Sequence, residues 1–228
     1  MKNTSLYNDI VQWDINSWSV ALDIWDKDID WSNKKTALEI GARNGGLSLW
    51  LALKNIDVIC SDIENPQALA LPLHQKYNVQ HLISYQSIDA TQIPFENYFD
   101  IIVFKSVLGG IGRNNNFQLQ QKAIQEMHKA LKKDGVLLFA ENLVASPFHQ
   151  KLRKKFVKWG NEWRYLNLNE LKILLNIFSS YQIKTTGFLA AFGPKESQRK
   201  FLSYLDKLIF NHIVPDNYKY IAYGFAIK

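Results

Sequence analysis

Thr36-Ala-Leu-Glu-Ile-Gly-Ala-Arg-Asn-Gly-Gly46 runs directly into Leu47-Ser-Leu-Trp-Leu51. The stretch reads as an apolar strand carrying one acidic residue, then a glycine loop, then the start of an apolar helix. Glycine lets a backbone turn sharply and approach a ligand closely, so a strand–glycine loop–helix unit marks a nucleotide-cofactor site. The spacing narrows the ligand. A dinucleotide fingerprint has the form G-x-G-x-x-G, and its middle glycine admits a pyrophosphate. Here Arg43 takes that middle position and the pattern is G-x-x-x-G-G. A large side chain there argues against a pyrophosphate.

The segments that follow extend the reading. Asp57-Val-Ile-Cys-Ser61 is strand-like and ends in Asp62, 21 residues after Gly41. A carboxylate at the tip of a second strand can accept hydrogen bonds from two ribose hydroxyls. Ser87-Ile-Asp-Ala-Thr91 comes next, with Ile93-Pro-Phe95 after it. Phe99-Asp-Ile-Ile-Val-Phe-Lys-Ser-Val-Leu108 reads as a fourth strand entering a loop. A helix from Gln118 to Lys133, a turn at Asp134-Gly135 and a fifth strand, Val136 to Glu141, complete the alternation. Alternating strands and helices predict a mostly parallel sheet, with ligands bound outside the carboxyl ends of its strands. Glu39, Asp62, Asp89, Lys105 and Glu141 all fall at those ends.

In this order, from Thr36 to Glu141, the segments resemble the class I S-adenosylmethionine (SAM) dependent methyltransferases. The first stretch is similar to their motif I, acidic-apolar-G-x-G-x-G: Glu39, Gly41 and Gly45 match and Arg43 departs. The resemblance implies an α/β, three-layer Rossmann-like fold with a seven-stranded, mostly parallel sheet. Its last strand is antiparallel and inserts beside the fifth. It also implies that Asp62 binds the ribose and that Asp89 and the Ala90 amide hold the adenine. The segment containing Lys105 would pass beneath the reactive methyl. The cofactor-contacting set implied is therefore Glu39, Gly41, Arg43, Gly45, Asp62, Asp89, Ala90 and Lys105, with SAM as methyl donor and S-adenosylhomocysteine as product.

The chain has 228 residues, which suits one domain with a substantial core. A hydrophobic fraction of 47% is that of a globular protein rather than a disordered one. No apolar run is long enough for a membrane span, and Met1 to Asp9 contains no apolar signal-peptide region. The single cysteine, Cys60, lies within the second strand and reads as a buried small apolar residue. A cytoplasmic, reducing compartment is expected. The net charge is uneven: residues 1–150 carry 13 Lys/Arg against 16 Asp/Glu, and residues 151–228 carry 14 against 5. A solvated basic surface and an anionic partner both account for this.

Residues 1–35 form a separate helical element, interrupted near Asp14 to Ser17 and holding Trp13, Trp18, Trp25 and Trp31. These rings are expected mainly to pack the element onto the sheet, with one or two lining the pocket. Helices are expected near 46–54, 66–77, 147–159 and 168–177, the second capped by Asn65 with Pro66 at its first position. A sixth strand at 181–186 and a last strand from Tyr218 to Ile227 enclose a long connection, 187–217. It holds a helix from Glu196 to Asn211 and reads as an acceptor lid or a dimer contact, so both monomer and homodimer stay open.

Methyl transfer from a sulfonium is an in-line displacement that depends chiefly on proximity and orientation. A general base is needed only if the acceptor must lose a proton. Candidate catalytic groups are Glu141, His149 and Lys105. Ser106, Asn142 and the glycine loop 109–113 are candidates to shape the pocket. No Asn-Pro-Pro-Tyr or Asp-Pro-Pro-Tyr follows the fourth strand, and no Cys-Pro pair exists, so two nucleic-acid base chemistries are not indicated. His74, His81, His128, His149 and His212 are scattered, with no zinc-type spacing. The basic stretch Lys151 to Lys158 reads as a phosphate or anionic-lipid contact, or equally as an amphipathic helix with one buried side. Trp163-Arg-Tyr165 and Glu170-Leu171 resemble, loosely, methyltransferases of sugar and polysaccharide modification. The leading reading is methyl transfer to O or N of a small molecule, with a sugar or glycan-linked metabolite a candidate. RNA or protein methylation, or non-catalytic SAM binding, stand as alternatives.

Overall fold

The computed structural model describes residues 4–157 and 162–228. Seven strands are formed: β1 (Thr36–Ile40), β2 (Asp57–Asp62), β3 (Ile83–Ser87), β4 (Phe99–Lys105), β5 (Leu131–Asn142), β6 (Ser180–Thr186) and β7 (Ile221–Ile227). They make one sheet in the order β3-β2-β1-β4-β5-β7-β6. The first five pair in parallel, and β7 lies antiparallel between β5 and β6. This is the seven-stranded, mostly parallel architecture that the sequence predicts.

The central strands are apolar on both faces because helices cover both. Ala37, Val58, Ile101 and Val103 join one core with Trp18, Trp25 and Leu51. Their neighbours Leu38, Ile102 and Phe104 join the other, with Ile124, Met127 and Leu171. Alternating side chains along each strand thus feed opposite layers. The first layer contains α1 (Thr4–Val11), α2 (Ile15–Asp28), α3 (Gly46–Ala52) and α4 (Gln67–Lys76). The second contains α5 (Leu108–Ile111), α6 (Phe117–Ala130) and α8 (Leu168–Leu175); between these last two in sequence lies α7 (Pro147–Phe156). Cys60 is buried and unpaired within the first core.

Several boundaries differ from expectation. Asp134-Gly135 lies inside β5 rather than before it, because α6 stops at Ala130 and the chain becomes extended at Leu131. Pairing jumps from Phe99↔Leu131 to Ile101↔Val136, so the polar Lys132 to Asp134 segment bulges out, with Asp134 at φ 61°. Helix α4 begins one residue later than read. Asn65 still contributes, since its Oδ1 accepts the Gln67 amide at 2.9 Å. β7 begins at Ile221, and Asp216–Tyr218 forms a single 3-10 turn. In the 187–217 segment the helix α9 (Glu196–Leu205) continues through a π-helical turn, Asp206–Phe210, to Ile213. Lys158 and Trp159, part of the basic stretch and the predicted helix at 147–159, lie outside the described residues.

β6 ends and β7 begins at the carboxyl edge of the parallel strands: Thr186 pairs with Ile221, which also pairs with Asn142. The 187–217 segment therefore stands at that edge. The break between α1 and α2 meets it there, because Glu196 accepts the backbone amides of Asp14 and Ile15 at 3.0 and 2.8 Å.

Candidate active site

The glycine loop is held from three sides. Gly41, Arg43 and Gly45 all have positive φ, at 66°, 52° and 69°. Glycine adopts this conformation freely and arginine does not. Glu39 lies beneath the loop, 4% exposed. Its carboxylate accepts the Leu47 amide at 3.3 Å, the Ser48 amide at 2.7 Å and the Ser48 hydroxyl at 2.5 Å. It thereby satisfies donors at the start of α3 that have no helical partner. Burial still dominates and pushes its pKa up to about 7. On the other side His74 bonds the Gly45 carbonyl through Nε2 at 2.8 Å and the Tyr85 hydroxyl through Nδ1 at 2.7 Å. A methyl on Gly45 would meet the His74 ring at 2.6 Å, so only glycine fits there. From above, the Ile10 carbonyl of α1 packs against Gly46, where a Cβ would sit 2.1 Å away.

The rim over β1 to β3 is open. Asp62 accepts the Arg43 amide through Oδ2 at 2.9 Å and the Ile63 amide through Oδ1 at 2.8 Å. Each oxygen keeps a second lone pair for a ligand hydroxyl. Ile63 is 66% exposed beside it, an apolar surface of the kind a flat base covers. Asp89 is exposed, and its Oδ1 accepts both the amide and the hydroxyl of Thr91 at 2.8 Å. Ala90 is buried next to it. Gly41, Arg43, Asp62, Ile63 and Asp89 thus share one rim, and its chemistry suits a nucleoside: a carboxylate for the ribose and an apolar face for the base.

The end over β4 and β5 is more crowded. Val107 lies against Gly41, where a Cβ would come within 2.5 Å of it. Ser106 has φ 59° and receives the Asn142 side-chain amide at 2.6 Å. Glu141 is fully buried, and its carboxylate accepts the amides of Val107 at 2.8 Å, Leu108 at 2.7 Å and Asn142 at 2.8 Å. It serves α5 as Glu39 serves α3, and burial raises its pKa to about 7 as well. Lys105 turns toward the N-terminal break. Its Nζ donates to the Val11 carbonyl at 2.9 Å and lies 4.7 and 5.1 Å from the ring centres of Trp13 and Trp18. Desolvation lowers its pKa to about 8, against the opposing pull of Glu39 and Asp14.

His149 stands apart from these groups. It is 2% exposed and stacks on Phe192 at 4.4 Å. Its Nδ1 meets the Ser146 hydroxyl at 2.7 Å and its Nε2 the Phe188 carbonyl at 2.8 Å. A carbonyl only accepts, so Nε2 carries the proton and Nδ1 accepts from Ser146. Burial lowers its basicity further. The ring joins α7 to the 187–217 segment. That segment is organised by a third buried carboxylate, Asp206, which accepts the amides of Phe188, Leu189 and Ala190 at 2.8 to 3.0 Å.

Trp163 covers Gly109 and Gly110, where a Cβ on Gly109 would stand 2.9 Å from its ring. Arg164 pairs with Glu170 and bonds Gln120 at 2.8 Å, while the guanidinium of Arg153 packs on Tyr165. The aromatic-basic stretch 163–165 therefore braces α5, α6 and α8. Residues that the sequence reading missed include Ile63, His74, Asp14 and Tyr220. Asp14, 1% exposed and at φ 46°, accepts a short hydrogen bond from the Tyr220 hydroxyl. The break signalled that the chain turns near Asp14, but nothing local named its partner. Among the described residues no group of three or more His, Cys, Asp or Glu is placed to hold a metal, and no helix is long and apolar enough to cross a membrane.

Residues 38–139 match a family model described as a methyltransferase domain. No curated protein matches the chain by sequence. Among solved structures, YcgJ of Bacillus subtilis is 18% identical with a TM-score of 0.64, over 92% of this chain and 98% of that one. Phosphoethanolamine N-methyltransferase 2 of Haemonchus contortus, solved with phosphomonomethylethanolamine and S-adenosylhomocysteine, is 17% identical with a TM-score of 0.62. That match covers 92% of this chain but 52% of the Haemonchus enzyme, so this chain spans about half its length. The [4+2]-cyclase SpnF is 16% identical with a TM-score of 0.61, over 94% of this chain and 80% of that one. At these identities the likeness is one of fold. The methyltransferase-domain match over residues 38–139, the sheet order and the nucleoside-suited rim agree, and the chain carries a Rossmann-like methyltransferase fold.

Proposed function

We propose that this protein methylates a small-molecule acceptor at oxygen or nitrogen. The observation that carries this reading is the cover over the carboxyl edge. Glu196 ties the 187–217 segment to the N-terminal break, and Lys105 ties the same break to β4. A covered site of this kind suits a compact acceptor better than a folded macromolecule. When bound, the cofactor supplies an electrophilic methyl on a sulfonium. Asp62 would hold its ribose, Ile63 and Asp89 its base, and the Gly41–Gly45 loop its amino-acid end, with Arg43 near the carboxylate.

The chain's own part is to bind, orient and exclude water. Glu141 and His149 have their polar atoms engaged with backbone and serine groups, which supports positioning roles for both. Burial lowers the pKa of Lys105 to about 8 and raises that of Asp14 to about 6. An acceptor that arrives with a free lone pair needs no base. The positive charge at Arg43 and across the C-terminal third suits an acceptor bearing a phosphate or carboxylate, and sugar-linked metabolites fall in that class.

A second reading, RNA as acceptor, draws on the exposed Lys151, Lys154 and Lys155 of α7 beside Phe156, 71% exposed. The test is S-adenosylhomocysteine production from SAM with panels of small anionic acceptors and of RNA at two salt concentrations. Turnover with a small acceptor and little salt effect supports the first reading. Turnover with RNA alone, lost at high salt, overturns it.

A further inference from the structure

Lys105 ends β4 at a half-buried position from which a flexible side chain can reach water. Its head instead enters a box. Trp13 and Trp18 form two walls, with ring centres 4.9 Å apart and planes inclined by 62°. The Val11 carbonyl forms the floor at 2.9 Å. The Asp14 carboxylate acts on the same ammonium, and its Oδ1 is buried without a hydrogen-bond partner. The Ser17 hydroxyl lies near both Asp14 and Tyr220 and meets neither in hydrogen-bonding geometry. Trp13 is half-buried, so one wall is partly open to solvent.

The box and its occupant are mismatched. An ammonium has three N–H donors. Among the described residues Lys105 meets one acceptor, the Val11 carbonyl, and its other donors point at aromatic faces. The faces attract the ammonium charge but accept hydrogen bonds from it poorly. A methyl-bearing cation has no such donors. Its charge is spread over its methyl groups, and aromatic faces with a nearby carboxylate suit it. The walls that attract the Lys105 ammonium suit that kind of cation as well.

We propose that Trp13, Trp18, the Val11 carbonyl and Asp14 form a binding site for an alkylated onium group, and that Lys105 occupies it as an internal stand-in which such a ligand displaces. The site borders the glycine loop, since the carbonyl of Ile10, next to Val11, packs against Gly46. Two ligands carry this chemistry: the sulfonium of the cofactor and an alkylated ammonium of the acceptor. The inference deepens the proposed function and rests on it for the identity of the ligand, but the box can be probed without cofactor.

The probe is tetramethylammonium chloride, followed by tryptophan fluorescence and calorimetry, with sodium chloride as the ionic-strength control. Lys105→Met empties the box and is expected to bind the probe about tenfold more tightly than the wild type, while Lys105→Arg stays filled and gains nothing. Trp13→Leu in the Lys105→Met background should abolish the gain. If Lys105→Met does not fold, Lys105→Gln, neutral and one atom shorter than lysine, also vacates the cation position and is expected to show the same gain. The wild type should also saturate at higher probe concentration, with a fluorescence change that Trp13→Leu removes. Folded Lys105→Met or Lys105→Gln with no gain, or wild-type saturation indifferent to Trp13→Leu, overturns the proposal. Titrations with SAM and S-adenosylhomocysteine separate the two ligands. A SAM preference that rises in Lys105→Met assigns the box to the sulfonium. An unchanged preference, with the probe binding to the S-adenosylhomocysteine complex, assigns it to the acceptor. Loss of cofactor binding by the wild type would count against the proposed function and leave the probe result to be read separately.

Discussion

The Asp62 carboxylate, at the end of β2, holds the Arg43 amide at 2.9 Å while Arg43 keeps φ at 52°. The bond is to the backbone, so it survives any side chain at position 43. The left-handed conformation is unfavourable for arginine by about 1 kcal/mol and free for glycine. Arg43→Gly is therefore expected to raise the melting temperature by roughly 2–4 °C, the shift for about 1 kcal/mol in a chain of this size. A lowered melting temperature would mean that the Arg43 side chain, exposed as it is, stabilises the loop by more than the strain costs.

Glu39 is one source of a pH dependence of stability. Its pKa is raised from 4.5 to about 7 in the folded chain. Between those values the folded state binds more protons than the unfolded state, so this contribution is complete below about pH 4.5 and is lost as pH rises through 7. The amount is on the order of 3 kcal/mol. Urea denaturation at pH 5 and pH 7.5 should show a larger drop for the wild type than for Glu39→Gln. Equal drops in the two proteins would place the titration elsewhere.

His149→Phe keeps the ring that stacks on Phe192 and removes both hydrogen bonds. The Phe188 carbonyl and Ser146 hydroxyl are left without that partner, at an expected loss of about 1–3 kcal/mol. Protease sensitivity should rise within 187–217, and the pH profile of methyl transfer should keep its shape. Loss of the acid limb of that profile would make His149 a base in the reaction.

The parallel half of the fold was legible because its strands are short apolar runs bounded by Gly, Asp and Asn, and because Gly41 and Gly45 stand where a loop must turn. The start of β5 was not, because Lys132 to Asp134 are polar and sit in a bulge outside the apolar pattern. Glu39 and Asp62 were legible as positions at strand ends. The engagement of Glu39 with Ser48 was hidden, because motif spacing reports location and not the direction of a side chain. The Lys105–Val11 contact joins residues 94 apart, and Asp14–Tyr220 joins residues 206 apart. No local periodicity encodes such pairs. They depend on how the break between α1 and α2 folds back over the sheet.

The most direct test of the cofactor site is calorimetric titration with S-adenosylhomocysteine of the wild type and of Asp62→Ala, with thermal melts to confirm that both are folded. Saturable binding by the wild type is expected, with at least about a tenfold loss in Asp62→Ala, the scale for a charged acceptor removed from two hydroxyls. A folded wild type that does not bind, or an Asp62→Ala variant that binds equally well, would contradict the placement of the nucleoside on this rim.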